Sequence, residues 1–412
     1  MKQSKLFGKT RRDISQDEKS INAELLTKAG FIEKQMAGVY NYLPLGLRTY
    51  RKIENIIREE INAIDGQEIL MPVLQAKELW QQTGRWEEME PIMYQFKDHH
   101  GSAVGLGTTH EEVVVDIVKK HLTSYKDLPI YLYQMQTKFR DEKRAKSGLL
   151  RGREFGMKDL YSFHTDESDL DEYYQRAHDA YLKIFQRMGL ESFSVEASGG
   201  AISKKFSHEF MVKNEAGEDL TILCEKCAWA QNKEIAKQKA GDKCPKCGAK
   251  LSEEKTVEAG NIFNLGNEYS NKMSLKFTDK DGQQKDVVMG CYGIGLGRAM
   301  GTIVEANHDK DGIIWTKNTT PFDVHLLNLA KKDSKKADKV YQDLQKKGFE
   351  VLYDDRDTSF GKKLKDADLI GVCWQLIVSD KQDDLELIYR ADHKTELMSL
   401  TVAVKKLNEF YK

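Results

Sequence analysis

Between Leu47 and Ile64 apolar residues recur at Leu47, Tyr50, Ile53, Ile57, Ile61 and Ile64, among others. Steps of three and four place them on one face of a helix, and the Asp65–Gly66 pair stops it. The next stretch, "QEILMPVLQ", has strand composition but contains Pro72. Proline cannot donate to a ladder, so this strand is expected at a sheet edge or bent there. An edge strand beside a long amphipathic helix is a candidate subunit interface. Further on, "LPIYLYQMQTKFRDE" alternates as a strand does, and "DLDEYYQRAHDAYLKIFQRMGL" reads as a helix closed by Gly189. "KMSLKFTD", "KDG" and "QKDVVMGCYGIG" read as a hairpin feeding a glycine-rich strand and then a helix. From "TTPFDVHLLNLA" onward strands and helices alternate, which suits a compact α/β domain with a mainly parallel sheet.

Length changes this picture by requiring more than one core: 412 residues predict two or three domains. The composition, 40% hydrophobic and 31% charged, is that of a soluble globular protein. No apolar run approaches the roughly 18 residues of a membrane helix. The basic N-terminus "MKQSKLFGKTRRD" has no apolar signal-peptide core, so a cytoplasmic location and no membrane partner are expected. A net charge of −1 does not announce a nucleic-acid binder, though a local basic patch is compatible with it. Lys331, Lys332, Lys335, Lys336, Lys339, Lys346 and Lys347 read as a solvated helix face.

Four of the six cysteines stand as "CEKC" and "CPKC": Cys224, Cys227, Cys244 and Cys247. In a cytosolic chain two C-x2-C knuckles read as a four-thiolate Zn2+ site. Four protein ligands leave no open position, so the site is structural rather than catalytic. Cys291 and Cys373 stand alone and read as buried, inert thiols.

Three further groups carry chemistry. In "GLGTTHEE", Thr109 and Glu111 are two residues apart and, on a strand end, would point the same way, a hydroxyl and a carboxylate for an ammonium group. Thr and Glu are also ordinary capping residues. In "KFRDEKRAKSGLLRGREFGMKDLYSFH", Arg140 follows a strand and Phe155 lies past the turn on a returning one. A guanidinium there can grip phosphate while the ring stacks on a base; a surface ladder of Arg–Glu pairs over a core Phe155 and Phe163 fits the same letters. In "GCYGIGLGRAM", alternating glycines let a ligand approach the backbone and place Arg298 at a helix start, without Rossmann spacing.

In this order the proline-broken edge strand, the "FRDE…GREF" hairpin and the "GxGxGR" helix resemble the three motifs of class II aminoacyl-tRNA synthetases. "AGVYNYLPLGLRTYRKIENIIREE", "THEE", "SHEF", "CYGIGLGR" and "VLYDDRDTSFGKKLKDADLIG" narrow the resemblance to the bacterial-type prolyl-tRNA synthetases, across essentially the whole chain. The resemblance implies an α+β fold: an antiparallel-sheet catalytic domain over 1–214 and 259–317, a small zinc-ribbon-like module at 215–258, and an α/β anticodon-binding domain at 321–412. It implies that L-proline and ATP give prolyl-adenylate and pyrophosphate, and that the prolyl group passes to tRNA(Pro). Arg140 then bridges the proline carboxylate and the α-phosphate, and Arg298 holds the γ-phosphate end, the two catalytic candidates. Thr109, Glu111 and His208 join Arg140 around proline; Glu142, Arg151 and Phe155 join both arginines around ATP. Met157, Tyr161, Phe163, His164 and Phe263 are candidates for lining the proline pocket. Asp354, Arg356, Phe360 and Lys362 are the anticodon candidates. Mg2+ on the phosphates and a homodimer built on the first motif are also implied.

The chain departs from the pattern in three places. Relatives of this type carry a large editing domain between motifs 2 and 3, and the space from Glu215 to Glu258 is too short for one. Editing in cis is therefore not expected, although a proline-sized pocket admits alanine at a modest loss of apolar binding. Asn261 stands where relatives often have histidine, and Gly156 replaces a bulkier apolar residue. Rival readings are an inactive paralogue serving as an accessory subunit, a threonine-specific enzyme, and a zinc-bearing nucleic-acid binder.

Overall fold

The computed structural model describes residues 1–13, 20–143, 145, 147–200, 202–203, 205–330, 335–380 and 383–412. Lys331 and Lys332 of the lysine cluster lie outside them. Two compact units emerge, one of 36–39 and 54–302, the other of 1–35, 40–53 and 303–412. The predicted amphipathic helix is Pro44–Asn62, begun by a proline at its first position and followed by Asp65 in the left-handed region. Ile53, Ile57 and Ile61 on its inner face are fully buried.

The larger unit is built on a nine-stranded sheet. Its order is Phe206–Lys213, Ser192–Ser198, Ala230–Asn232, Asp219–Leu223, Ser252–Gly266, Val288–Gly295, Glu154–His164, Ile130–Phe139 and Gln67–Glu68. The proline-containing segment behaves as its composition requires: only Gln67–Glu68 pairs, at the sheet edge and parallel to Leu132–Tyr133. Past Pro72 the chain leaves to form Leu74–Ala76 in a separate three-stranded sheet. The central strands are antiparallel and in register, with Asp159 opposite both Gln134 and Gly293, and Gly293 opposite Asn261.

Side chains along each strand alternate between the two faces. One face of the return strand, with Leu160 and His164, meets the long helix Glu167–Met188, whose Tyr173, Tyr181 and Phe185 are fully buried. That helix ends as the sequence predicts, on Gly189 in the left-handed conformation. On the other face, Tyr161, Phe163, Phe263 and Met289 pack with Val114, Val115 and Val118 of the helix Glu111–His121. Each such buried side chain contributes about 1.5–3 kcal/mol, which fixes the floor on which the polar groups stand.

The cysteine segment is wired into this sheet. Asp219–Leu223 and Ala230–Asn232 form ladder strands, and Ser252–Gly266 spans from the cysteine cluster to the sheet centre, pairing first with Asp219–Leu223 and then with Ser207–Lys213.

In the other unit, Val351–Asp354, Val324–Asn328 and Trp374–Val378 are parallel, and Leu385–Tyr389 and Lys394–Met398 extend them antiparallel. The alternating pattern thus gives the α/β architecture, with two antiparallel strands added at one side.

Candidate active site

The outgoing strand Ile130–Phe139 ends one residue before Arg140, and Glu154–His164 brings Phe155 back opposite Lys138. Counting in twos from Phe155, the residues Met157, Asp159 and Tyr161 share its face. On the neighbouring strand Cys291, Gly293 and Gly295 share that face, and Leu296–Ala306 follows as a helix with Arg298 in its first turn. These elements enclose a cleft of about 880 Å³ to its open mouth. Thr109, Glu111, Arg140, Glu142, Arg151, Phe155 and Arg298 all line it.

The arginines differ in what they hold. Arg151 binds Glu142 at 2.9 Å and Glu218 at 2.7 Å, and Arg298 binds Glu258 at 2.6 Å and the Leu150 carbonyl at 3.0 Å. Arg140 has no carboxylate partner among the described residues; its guanidinium lies 5.3 Å from the Phe155 ring centre, and its buried Nε is unbonded. Burial, and after it the Arg298 guanidinium, lower the Arg140 pKa from its ordinary value. Glu258, Glu142 and Glu111 act on it only from a distance, and a buried cation with no carboxylate bonded to it suits an anionic ligand.

Thr109 and Glu111 are not on a strand end as the spacing suggested. The strand Ala103–Leu106 stops before them, and Glu111 opens the helix Glu111–His121. The two groups still converge across the helix start, with His110 at the N-cap between them and Thr109 Oγ1 donating to Glu111 Oε2 at 2.5 Å. Glu111 is fully buried and takes a second hydrogen bond from the Cys291 thiol at 3.3 Å. Cys291 is buried, and burial pushes its thiol well up, but it faces the cleft.

His208 does not reach the cleft. It pairs with Ile262 on the helix-facing side, where its Nδ1 meets the Tyr174 hydroxyl at 2.8 Å. Its neighbours Ser207 and Glu209 stand opposite Phe263 and Asn261, the cleft-facing pair. The same alternation sends His164 under the helix, against Tyr131, Tyr173 and Asp169. Tyr161 and Phe163 are fully buried beneath the floor, while Met157 and Phe263 line the cleft.

Several groups of the site were not in the sequence reading. Asp159 lines the cleft with Oδ1 unbonded, while its Oδ2 accepts from Lys138 at 2.8 Å, Gln134 at 2.9 Å and Tyr161 at 3.0 Å. Period two counted from Phe155 was the signal that finds it. Glu258 holds Arg298, and burial followed by Glu258 raises Glu209 to about 8 and Asp219 to about 6.

Gly293 carries a functional signal of its own. A Cβ there would meet nothing nearer than Met157 Sδ at 3.9 Å, so packing does not demand glycine. The bare backbone instead keeps the floor clear. Gly293→Ala is expected to leave the melting temperature unchanged and to raise the KM of the ligand seated there about tenfold, a modest steric cost of ~1.4 kcal/mol. A changed melting temperature with an unchanged KM would count against this reading.

The four knuckle cysteines gather tightly: Cys224 and Cys247 sulfurs are 3.5 Å apart, Cys227 and Cys244 likewise, and all four lie within 4.8 Å of one another. Thiolates around one Zn2+ at about 2.3 Å sit roughly 3.8 Å apart, so the set fits. Both knuckles turn the same way, with Ala228 and Gly248 left-handed just after the second cysteine.

In the smaller unit Asp354 is fully buried and both its oxygens accept from Arg356, at 2.8 and 2.7 Å, while Arg356 also binds Asp366 at 2.9 Å. Asp354 and Arg356 therefore hold the loop, because a carboxylate sealed from water offers nothing to a base. Phe360 is 53% exposed and Lys362 is exposed.

Comparison with known proteins agrees with this geometry. Residues 94–307 match the class II tRNA synthetase core domain of the G, H, P, S and T enzymes, and residues 323–410 match an anticodon-binding domain. The proline–tRNA ligase of Sulfurihydrogenibium sp. is 34% identical over 559 positions, covering 99% of each chain, and that of Thermosipho africanus is 35% identical, covering 92% of this chain and 94% of its own. The first alignment is longer than these 412 residues, so that relative has residues inside the matched span without a counterpart here. In fold, the crystal structure of the prolyl-tRNA synthetase of Cryptosporidium parvum with halofuginone and AMPPNP superposes with a TM-score of 0.78 at 17% identity, covering 95% of this chain and 77% of that one. A second structure of that enzyme, with L-proline and AMP, gives 0.76.

Proposed function

The chain belongs to the proline–tRNA ligases, class II aminoacyl-tRNA synthetases that join L-proline to tRNA(Pro) at the expense of ATP, and from that membership we propose how this cleft divides the work. The observation that carries the assignment is the single cleft shared by Thr109, Glu111, Arg140, Phe155 and Arg298. The proline nitrogen, an ammonium donor, sits at Thr109 and Glu111. Its carboxylate lies toward Arg140, the one of the three cleft arginines with no carboxylate partner among the described residues. Phe155 stacks on adenine, and Arg298 turns from Glu258 to the terminal phosphate, with Mg2+ entering on ATP. The proline carboxylate attacks the α-phosphorus, a new C–O–P bond forms, and pyrophosphate leaves. Arg140 neutralises the charge that builds on the phosphoryl oxygens, so catalysis is positioning plus electrostatics. The adenosine hydroxyl at the tRNA end then displaces AMP from the prolyl carbonyl.

Phe360 and Lys362 remain the candidates for tRNA contact in the smaller unit, as exposed stacking and phosphate groups. A second copy of the chain is the proposed partner at the edge strand, where Leu70 is 76% and Leu74 55% exposed. No helix among the described residues is long and apolar enough to cross a membrane, and a cytoplasmic location is proposed. Zn2+ held by Cys224, Cys227, Cys244 and Cys247 supplies a cross-link rather than chemistry. Editing in cis is not part of the proposal: between 215 and 258 the chain forms short strands and the cysteine cluster.

ATP–pyrophosphate exchange with each standard amino acid tests the assignment. Proline-dependent exchange is expected; silence with all twenty would indicate an inactive paralogue. Appreciable deacylation of alanyl-tRNA(Pro) would overturn the editing statement.

A further inference from the structure

Two cations lie behind the cleft wall without lining it. Arg85 is 5% exposed, with Nη1 at 3.0 Å from Glu112 and 3.6 Å from Glu111. Lys138 is fully buried, donating to Asp159 Oδ2 at 2.8 Å and to His110 Nδ1 at 2.5 Å. His110 is neutral here: burial, then Lys138, lower it to about 4, and its other nitrogen donates to the Pro72 carbonyl. A buried charge survives only with a partner, so each pair is either complete or costly. Each cation is joined to one of the two carboxylates that line the cleft beside Thr109.

We propose that Arg85 and Lys138 are positioning residues for the imino acid, buried counter-charges that fix Glu111 and Asp159 as the anionic end of the proline pocket. The inference rests on the reading that Thr109 and Glu111 receive the proline nitrogen. Glu111 and Glu112 are adjacent on the same helix start, and the guanidinium within 4 Å of both offsets their mutual repulsion, beside the hydroxyl donors Thr109 on Glu111 and Thr83 on Glu112. Burial raises the Glu112 pKa, Arg85 opposes it, and Glu111 adds to the rise; Glu112 Oε2 has no partner among the described residues. Without Arg85 the Glu111 carboxylate loses the cation 3.6 Å from it and faces the like charge of Glu112 instead, so the anionic end of the pocket is no longer held in place. Asp159 differs in having three donors on one oxygen, which leaves the other without a partner in a residue that lines the cleft. A secondary ammonium, with two N–H donors, fits two such acceptors.

Arg85→Met is expected to raise the KM for proline in pyrophosphate exchange roughly 100-fold, as for a buried pair broken on one side, with the KM for ATP unchanged. The double variant Arg85→Met/Glu112→Gln removes the like charge as well and is expected to recover most of that loss. Arg85 also packs between Trp80 and Tyr269, at 5.1 and 5.4 Å. A purely packing role predicts no recovery, and either that outcome or a parallel rise in both KM values overturns the proposal. Lys138→Met repeats the test at the second pair should the first variant fail to fold: a raised KM for proline with an unchanged KM for ATP is expected, and a parallel rise in both overturns the proposal. Glu111→Gln separates the two levels. An unaltered proline KM there would remove the underlying reading, whereas a raised one beside a normal Arg85→Met would remove only the counter-charge.

Discussion

Arg140→Ala is expected to cut proline-dependent pyrophosphate exchange about a thousandfold, a loss of ~4 kcal/mol from the transition state. The size follows from what is bonded to each arginine of the cleft. Arg151 and Arg298 have carboxylates bonded to them; Arg140 has the Phe155 ring under its guanidinium, a carbonyl at 3.4 Å and an unbonded Nε. Glu258, Glu142 and Glu111 offset its desolvation only from a distance, and on the proposed role it is the approach of two anionic groups that the guanidinium stabilises. Arg140→Lys keeps the charge and loses the planar fork, so it should fall between parent and alanine. Thermal unfolding should show the alanine variant folded and no less stable, since it relieves a buried cation. A variant retaining a tenth of parental exchange would mean the charge on the phosphate is met elsewhere.

The second large effect concerns the cysteine cluster. One Zn2+ per chain is expected by elemental analysis, and its removal by a strong chelator should open residues 224–251 to proteolysis. Structural zinc contributes roughly 10–16 kcal/mol in small modules, far more than the short apolar cluster of Ile222, Cys224, Cys244 and Leu251 can replace. The effect should reach the cleft, because the strand Ser252–Gly266 that leaves the cluster also carries Glu258 and Asn261. A severalfold rise in the KM for ATP on stripping, restored by added Zn2+, is the expected signature. Metal-free protein with the same proteolytic pattern and KM would show the thiols to be a relic.

Much of this was legible in the letters. The antiparallel hairpin of the motif, its aromatic return strand and the glycine-rich strand before Arg298 follow from alternation and turn residues alone. The pocket was harder. His164 and His208 attract notice as histidines, yet strand parity places both beneath the long helix, and the same parity selects Asp159. Thr109 and Glu111 converge through a helix start that their spacing did not distinguish from a strand end. Arg85 is invisible to motif reading: it lies in a separate short helix, Arg85–Glu88, and only tertiary packing brings it behind Glu111. Asp354 shows the opposite error, a charged letter in a suggestive loop that turns out to be sealed against Arg356.

With Arg298 in its proposed role, the Glu258 carboxylate seated on it makes nucleotide entry an exchange of one anion for another. The incoming phosphate must outcompete a resident acid tethered at high local concentration, which weakens capture. The same acid is waiting when pyrophosphate forms, so it speeds departure of the leaving group. Turnover gains from what affinity gives up.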